Sequence, residues 1–187
     1  MMIRACEYLW LAVGVYWLVI ARGVKRAKVR ENILTTILRR SFWLIAFLLV
    51  FSPQGRIGVL GERFVPYRMG IEVTGFFIAT GGLALALWAR HCLGGNWSGA
   101  VTLKEGHQLI GSGPYKRIRH PIYTGFDIGI AGTALTLGEW RGLLAFAIAV
   151  VMYFVKARKE EAWLAREFGR AFDEHRSHTG MFLPRLS

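Results

Sequence analysis

Long apolar runs constrain the fold of this chain more than any other feature. A helix needs about 20 mostly apolar residues to cross the hydrocarbon core of a membrane. The second apolar run, residues 41–51, is shorter than this, and we expect its helix to begin earlier and to include residues 33–38. The side chains of Arg39 and Arg40 would then extend towards a membrane interface. We therefore predict an all-α, polytopic integral membrane protein with about five transmembrane helices, from the apolar runs at 6–21, 41–51, 71–89, 126–137 and 143–155.

The composition agrees with a membrane protein and argues against most soluble classes. Hydrophobic residues make up 53% of the 187 residues and charged residues 19%, compared with about 25% charged in an average soluble domain. The net charge is +12, but its basic residues alternate with the apolar runs. Because no compact basic domain remains to hold a nucleic acid, we predict membrane lipids rather than nucleic acid as the partner. Cys6 and Cys92 form neither a disulfide framework nor a metal motif, and no metal site is expected.

The basic residues also predict an orientation. Of the 24 Lys and Arg residues, 17 lie in segments 22–32, 90–125 and 156–187, whereas five lie in the segments that five spans would place on the other side. By the positive-inside rule, the three basic segments face the cytoplasm and the amino terminus lies outside. The short link 138–142 predicts an antiparallel hairpin of two membrane helices. We expect a protein of a bacterial inner membrane.

Two of the predicted cytoplasmic segments carry the side chains that are suited to ligand binding or catalysis. Segment 90–125 is dense in histidine, aromatic and basic residues, which suits either a polar ligand or a solvated loop that contacts lipid phosphates. Glu160 and Glu161 follow a membrane span directly and start a pattern of apolar residues typical of an amphipathic helix extending to His175. An interfacial helix gains nothing from acids beside anionic headgroups. A binding or catalytic role for these glutamates is the alternative. Asp127, an acid inside an apolar run, is a further functional candidate.

The motifs in these segments resemble a known family. Gly113-Pro-Tyr, then Arg119-His-Pro-Ile-Tyr-Thr-Gly, and after one helical hairpin Glu160-Glu-x-x-Leu, followed by Phe168-Gly and Phe172, are similar to the signature of the isoprenylcysteine carboxyl methyltransferase family, which is related to phospholipid methyltransferases. The resemblance extends from about residue 70 to the end. We therefore divide the chain into N-terminal membrane helices (1–70) and a methyltransferase membrane domain (71–187).

The resemblance implies S-adenosylmethionine as the methyl donor, with S-adenosylhomocysteine as its product, bound at the cytoplasmic face. Glu160 would close the donor site from the carboxy-terminal side. A basic residue before the glutamates would orient the acceptor, so Lys156, Arg158 and Lys159 are all candidates, and Glu161 is included with Lys156 and Arg158 as a catalytic candidate. The remaining donor-binding residues implied by position are His107, Leu109, Ile110, Gly113, Tyr115, Arg119, His120, Pro121 and Tyr123.

The acceptor implied by the resemblance is the terminal carboxylate of a prenylated cysteine, taken from the bilayer. An ionised carboxylate needs no general base. The chain departs from the family pattern at Phe172 and His175, where tyrosines are usual, and at Thr179-Gly180, where Val-Pro is common. A phospholipid amine, another isoprenoid acid or a sulfur acceptor therefore stays open. A non-catalytic assembly or lipid-binding protein and a membrane reductase are the alternatives from other classes.

Overall fold

The computed structural model describes residues 2–20, 33–94 and 109–185. These residues are largely α-helical, and they include isolated bridges but no β-strand. The helices are α1 (Met2–Ile20), α2 (Ile33–Phe51), α3 (Met69–Leu93), α4 (Pro121–Leu137), α5 (Trp140–Phe168) and α6 (Arg170–His178).

Three of these helices, α1, α3 and α5, are long and apolar enough to cross a membrane. Helix α2 begins at Ile33 and so includes residues 33–38 as expected, but its apolar part covers only Ser41–Phe51 and α2 is not among these three helices. Helix α4 has 17 residues. The chain is an all-α integral membrane protein.

Helices α3 and α4 pack closely because glycines remove side chains from their interface. A Cβ atom on Gly75 of α3 would lie 2.6 Å from the Thr136 nitrogen of α4. A Cβ on Gly125 of α4 would lie 2.6 Å from the Ala86 nitrogen of α3. Backbones can approach this closely only where the residues are small. The close packing of α3 against α4 fixes the position of the N-terminus of α4.

Helices α4 and α5 form a hairpin at the predicted link, and its turn is fixed by ion pairs. Only Gly138 and Glu139 join α4 to α5, and Gly138 caps α4 in a left-handed conformation with φ of 69°. Glu139 is 4% exposed and bonds Arg56 at 2.7 Å and Arg141 at 2.6 Å. Arg141 in turn donates to the backbone at the end of α2. This network ties α2 and the following loop to the end of the hairpin remote from Glu160.

The N-terminal helices pack on the hairpin through tryptophans. Trp10 donates a hydrogen bond to Thr133 at 3.0 Å. Trp17 lies against Phe126 with ring centroids 5.1 Å apart. From α2, Trp43 contacts Tyr153 at 4.8 Å. Helices α1 and α2 thus cover the aromatic side of α4 and α5.

The carboxy-terminal pattern folds differently from the expected single amphipathic helix. Helix α5 continues without a break from its apolar part through Glu160 to Phe168. It ends at Gly169, whose φ of 48° belongs to the left-handed region that glycine adopts readily. A separate helix, α6, then holds Phe172 and His175. The expectation of one helix was wrong because Gly169 turns the chain in the middle of the pattern.

Candidate functional site

The site forms where the N-terminus of α4 meets the later part of α5. A 3-10 turn at Gly113–Lys116 leads into residues 117–120, and Pro121 occupies the first turn of α4, where its missing N–H costs no hydrogen bond. Gly113 has φ of 58°, and a Cβ there would lie 2.7 Å from the Cys92 sulfur. Glycine at this position therefore lets the turn lie against the end of α3.

Glu160 is the partly open carboxylate of the site. The Tyr123 hydroxyl lies 2.7 Å from both of its oxygens. His120 Nδ1 lies 3.7 Å and Lys156 Nζ 3.8 Å from this carboxylate. The ammonium of Lys156 also lies over the Tyr123 ring, 4.9 Å from its centroid. The Glu160 side chain keeps 22% exposure, so it can accept a hydrogen bond from a ligand as well as from Tyr123.

Glu161 is turned inward and paired with Arg119. Arg119 Nε donates to Glu161 Oε1 at 2.7 Å, and the two side chains are only 9% and 7% exposed. Arg119 Nη1 also donates to the Thr179 carbonyl. His120 Nε2 lies 3.3 Å from Glu161 Oε1 but is buried without a hydrogen-bond partner. The adjacent glutamates therefore differ: Glu160 is available to a ligand, whereas Glu161 holds the scaffold together.

Residues 179–182, which we call the C-terminal strap, complete the site from a part of the chain that the motifs did not include. Arg119 N donates to Gly180 O at 2.9 Å and His120 N to Met181 O at 3.0 Å. The Thr124 hydroxyl donates to Phe182 O at 2.7 Å. The strap thus fixes the backbone of the Arg119-His120 motif. In the sequence, its Thr179-Gly180 pair is only a departure from the family pattern. No periodic pattern of residues predicts the irregular backbone hydrogen bonds that the strap makes.

Stacked rings connect the site to the membrane helices. His120 stacks on Tyr123 at 5.4 Å, and Tyr123 stacks on Tyr153 at 4.7 Å. Tyr153 in turn stacks on Phe126 at 6.1 Å. Sequence reasoning missed Tyr153 as a site residue. The available signal was a single tyrosine inside an apolar run, one turn before the basic residues.

The other residues implied by the family resemblance lie at different distances from this centre. Tyr115 is buried in one hydrophobic cluster with Tyr123 and Tyr153. Its burial, followed by the nearby charge of Glu160, raises the pKa of its hydroxyl. Leu109 and Ile110 are half-buried just before the 3-10 turn. Arg158 is exposed, and at 100° per residue it lies on a different face of α5 from Lys156. His107 lies outside the described residues.

Two further observations bear on the chemistry. Burial, followed by the charge of Arg119, lowers the pKa of His175, so this imidazole favours its neutral form. Within the described ranges there is no group of three or more His, Cys, Asp or Glu residues that could hold a metal ion.

Comparison with known proteins found a matching family model and several relatives. The model of the isoprenylcysteine carboxyl methyltransferase (ICMT) family matches residues 73–166. Protein-S-isoprenylcysteine O-methyltransferase of Schizosaccharomyces pombe is 33% identical over 79 residues, which are 42% of this chain and 34% of that protein. Protein-S-isoprenylcysteine O-methyltransferase B of Arabidopsis thaliana is 36% identical over 76 residues, or 40% and 39% of the two chains. The chain thus spans well under half the length of these two curated relatives.

Two other similarities extend over most of the chain. The cobalt-zinc-cadmium resistance protein CzcN of Cupriavidus metallidurans is 30% identical over 168 residues, covering 88% of this chain and 71% of that protein. The solved structure of the eukaryotic intramembrane Ras methyltransferase ICMT has the same fold, with a TM-score of 0.53 and 20% identity over 84% of this chain and 54% of that chain. The matched residues 73–166 include the start of α4 and both glutamates, which are the two halves of the site. This chain belongs to the isoprenylcysteine carboxyl methyltransferase family.

Proposed function

We propose that this protein is an S-adenosylmethionine-dependent membrane methyltransferase whose acceptor is the carboxylate of a prenylated cysteine or a similar isoprenoid compound. The observation that carries the proposal is the direct contact between two motifs 37 residues apart, in which Tyr123 bonds Glu160 at 2.7 Å. A protein that only inserted into lipid would not need a partly open carboxylate bound by a buried tyrosine and flanked by a histidine.

The residues of the site fit the chemical groups of the donor. S-adenosylmethionine has an ammonium and ribose hydroxyls, for which the 22% exposed Glu160 is an acceptor. His120 Nε2 is a buried polar atom without a hydrogen bond, and buried polar atoms in native proteins usually have one. Tyr115 and Ile110, which share a hydrophobic cluster, suit the adenine ring. When bound, the donor supplies an electrophilic methyl group on a positively charged sulfur.

The chain's own contribution to the reaction is positioning. Glu160, held by Tyr123, would fix the donor, and Lys156 beside it would orient the acceptor carboxylate by its charge. Such orientation can contribute several kcal/mol to catalysis, on the order of 7 or more in favourable cases. Among the basic candidates, Lys156 is favoured over the exposed Arg158 because its ammonium lies within 3.8 Å of Glu160. Arg119 and Glu161 would act through the scaffold rather than by touching the donor.

The same proposal includes the orientation in the membrane. Five spans with the basic segments inside would place the donor site at the cytoplasmic face, where S-adenosylmethionine is made, and the acceptor would enter from the bilayer. A bacterial inner membrane and the division of the chain at residue 70 belong to this proposal. The 17 basic residues in the predicted cytoplasmic segments support it.

A second candidate acceptor is the amine of a phospholipid. It is retained because the two relatives named for prenylcysteine align with 42% and 40% of this chain, whereas the match over 88% of the chain is to a protein whose name gives no methyl acceptor. An amine must lose a proton before attack, and Glu160 or His120 would then be the candidate base.

Transfer of labelled methyl groups in proteoliposomes tests the proposal. The probes are N-acetyl-S-farnesylcysteine and phosphatidylethanolamine, with labelled S-adenosylmethionine. We expect a base-labile methyl ester on the farnesylated probe, strongly reduced in Glu160→Gln and retained in Arg166→Ala, whose side chain is exposed on the same helix. Label only in the phospholipid would favour the second acceptor. No transfer to either probe, with intact and folded protein, would contradict a methyltransferase that uses these acceptors.

A further inference from the structure

Asp127 carries a buried oxygen that the fold does not use. It lies in α4 among apolar residues, and its Oδ1 is buried without a hydrogen-bond partner. Within the described residues, His120 Nε2 at the candidate site is another such atom. Burying a polar group without a partner costs stability, and an acid among membrane helices is a functional candidate by default. The oxygen therefore has an unused capacity to accept a hydrogen bond.

The position of Asp127 relates it to the site. It follows Tyr123 by four residues, so it lies on the same face of α4, about 6 Å further along the helix. The glycines that contact α3 lie on the opposite face. The residue before it, Phe126, stacks on Tyr153, whose ring also stacks on Tyr123. Asp127 thus lies one turn deeper than the Glu160–Tyr123 pair, beside the aromatic stack.

We propose that Asp127 is a specificity-determining residue that accepts a hydrogen bond from an N–H or O–H group next to the methylated carboxylate of the acceptor. This inference rests on the proposed function. The donor would be held at the level of Glu160, so a group one turn deeper belongs to the acceptor side. An amide N–H one bond from the carbon that carries the carboxylate is within the reach of such a residue. An acceptor with this group removes the free-energy cost of burying Asp127 Oδ1 without a hydrogen bond. An acceptor that has only hydrocarbon next to its carboxylate does not.

Two farnesyl acids that differ in one group test this assignment. N-acetyl-S-farnesylcysteine has an amide N–H beside its carboxylate, and 3-(farnesylthio)propanoic acid has the same carboxylate and chain without it. We expect wild-type kcat/KM to be about tenfold higher for the amide probe, the factor that corresponds to about 1.4 kcal/mol for one hydrogen bond. Asp127→Leu should lower kcat/KM for the amide probe about tenfold and leave the other probe unchanged. Asp127→Asn, which retains an acceptor oxygen, should keep most of the preference.

Two control measurements separate recognition from a structural role. S-adenosylhomocysteine affinity should be the same in wild type, Asp127→Asn and Asp127→Leu. The unfolding midpoint of unligated Asp127→Leu should not fall, because the replaced oxygen has no partner to lose. The decisive quantity is kcat/KM for the amide probe divided by kcat/KM for the probe without the amide. A value near one in wild type, or an undiminished value in Asp127→Leu, would overturn the assignment while the methyltransferase proposal stands. Absence of both methyl transfer and S-adenosylhomocysteine binding in wild type would overturn both.

Discussion

Replacing Arg119 with alanine leaves a buried carboxylate without its cationic partner. Arg119 and Glu161 meet at 2.7 Å with side chains 9% and 7% exposed, so solvent cannot compensate the remaining charge. Removing one member of such a pair costs about 3–5 kcal/mol. We expect a loss of about 3 kcal/mol, at the lower end, because His120 remains 3.3 Å from Glu161. The bond from Arg119 to Thr179 is lost at the same time, which should loosen the C-terminal strap.

The other arginine–glutamate pair provides a matched control. Arg56 and Glu139 also meet at 2.7 Å, but the Arg56 side chain is 61% exposed, and Glu139 keeps Arg141 at 2.6 Å. Arg56→Ala should therefore cost less than about 1 kcal/mol. Unfolding in mixed micelles with increasing dodecyl sulfate, followed by fluorescence of the seven tryptophans, measures both variants.

A double variant distinguishes the unpaired charge from lost packing. In Arg119→Met/Glu161→Leu both charges are absent, and most of the stability should return, since apolar pairs often replace buried ion pairs without loss. Equal destabilisation by Arg119→Ala and Arg56→Ala would refute the reasoning from burial. So would a double variant no more stable than Arg119→Ala alone.

Three further outcomes are expected from the scaffold. Gly75→Ala should destabilise the protein by about 1–3 kcal/mol through overpacking against α4, whereas Gly81→Ala, with nothing within 4 Å of its Cβ, should be neutral or slightly stabilising in the same unfolding assay. Burial favours neutral Glu139, but its two arginine partners outweigh this effect and hold its pKa below the ordinary 4.5. The free energy of unfolding should therefore be fully retained above about pH 4.5 and should fall below that pH as acid titrates this carboxylate. The fall should be weaker in Glu139→Gln. In a background without native cysteines, a cysteine at the exposed position Gln54 should react with an impermeant thiol reagent outside intact cells, and one at the exposed position Ser177 should not; labelling at Ser177 would contradict the proposed orientation.

The sequence was sufficient for elements whose signal is local. The apolar runs predicted the long helices, and the link at 138–142 predicted the hairpin, because both depend on composition and on the length of a span. The family motifs also brought Tyr123 and Glu160 to one site. Local signals failed at Gly169, where one glycine divides an otherwise continuous amphipathic pattern, and at the C-terminal strap.

The roles within the site required three-dimensional contacts. Arg119 and Glu160 looked equally suited to a ligand in the sequence, yet Arg119 is engaged by Glu161 and Thr179. Glu160 and Glu161 are neighbours in sequence but lie 100° apart on a helix, so they face different partners. Periodicity gives such angles but not the identity of the groups on the neighbouring helix. For the same reason, Tyr153 and the strap could not be assigned from the sequence.

Calorimetric binding of S-adenosylhomocysteine to the detergent-solubilised protein tests the proposed donor site most directly. The wild type should bind, and Arg166→Ala should bind with the same affinity. Glu160→Gln should weaken binding by about 1.5–3 kcal/mol, the range for hydrogen bonds to charged groups, and should unfold at the same dodecyl sulfate concentration as the wild type. Equal affinities for wild type and folded Glu160→Gln, or no binding by the folded wild type, would contradict a donor site formed by α4 and α5.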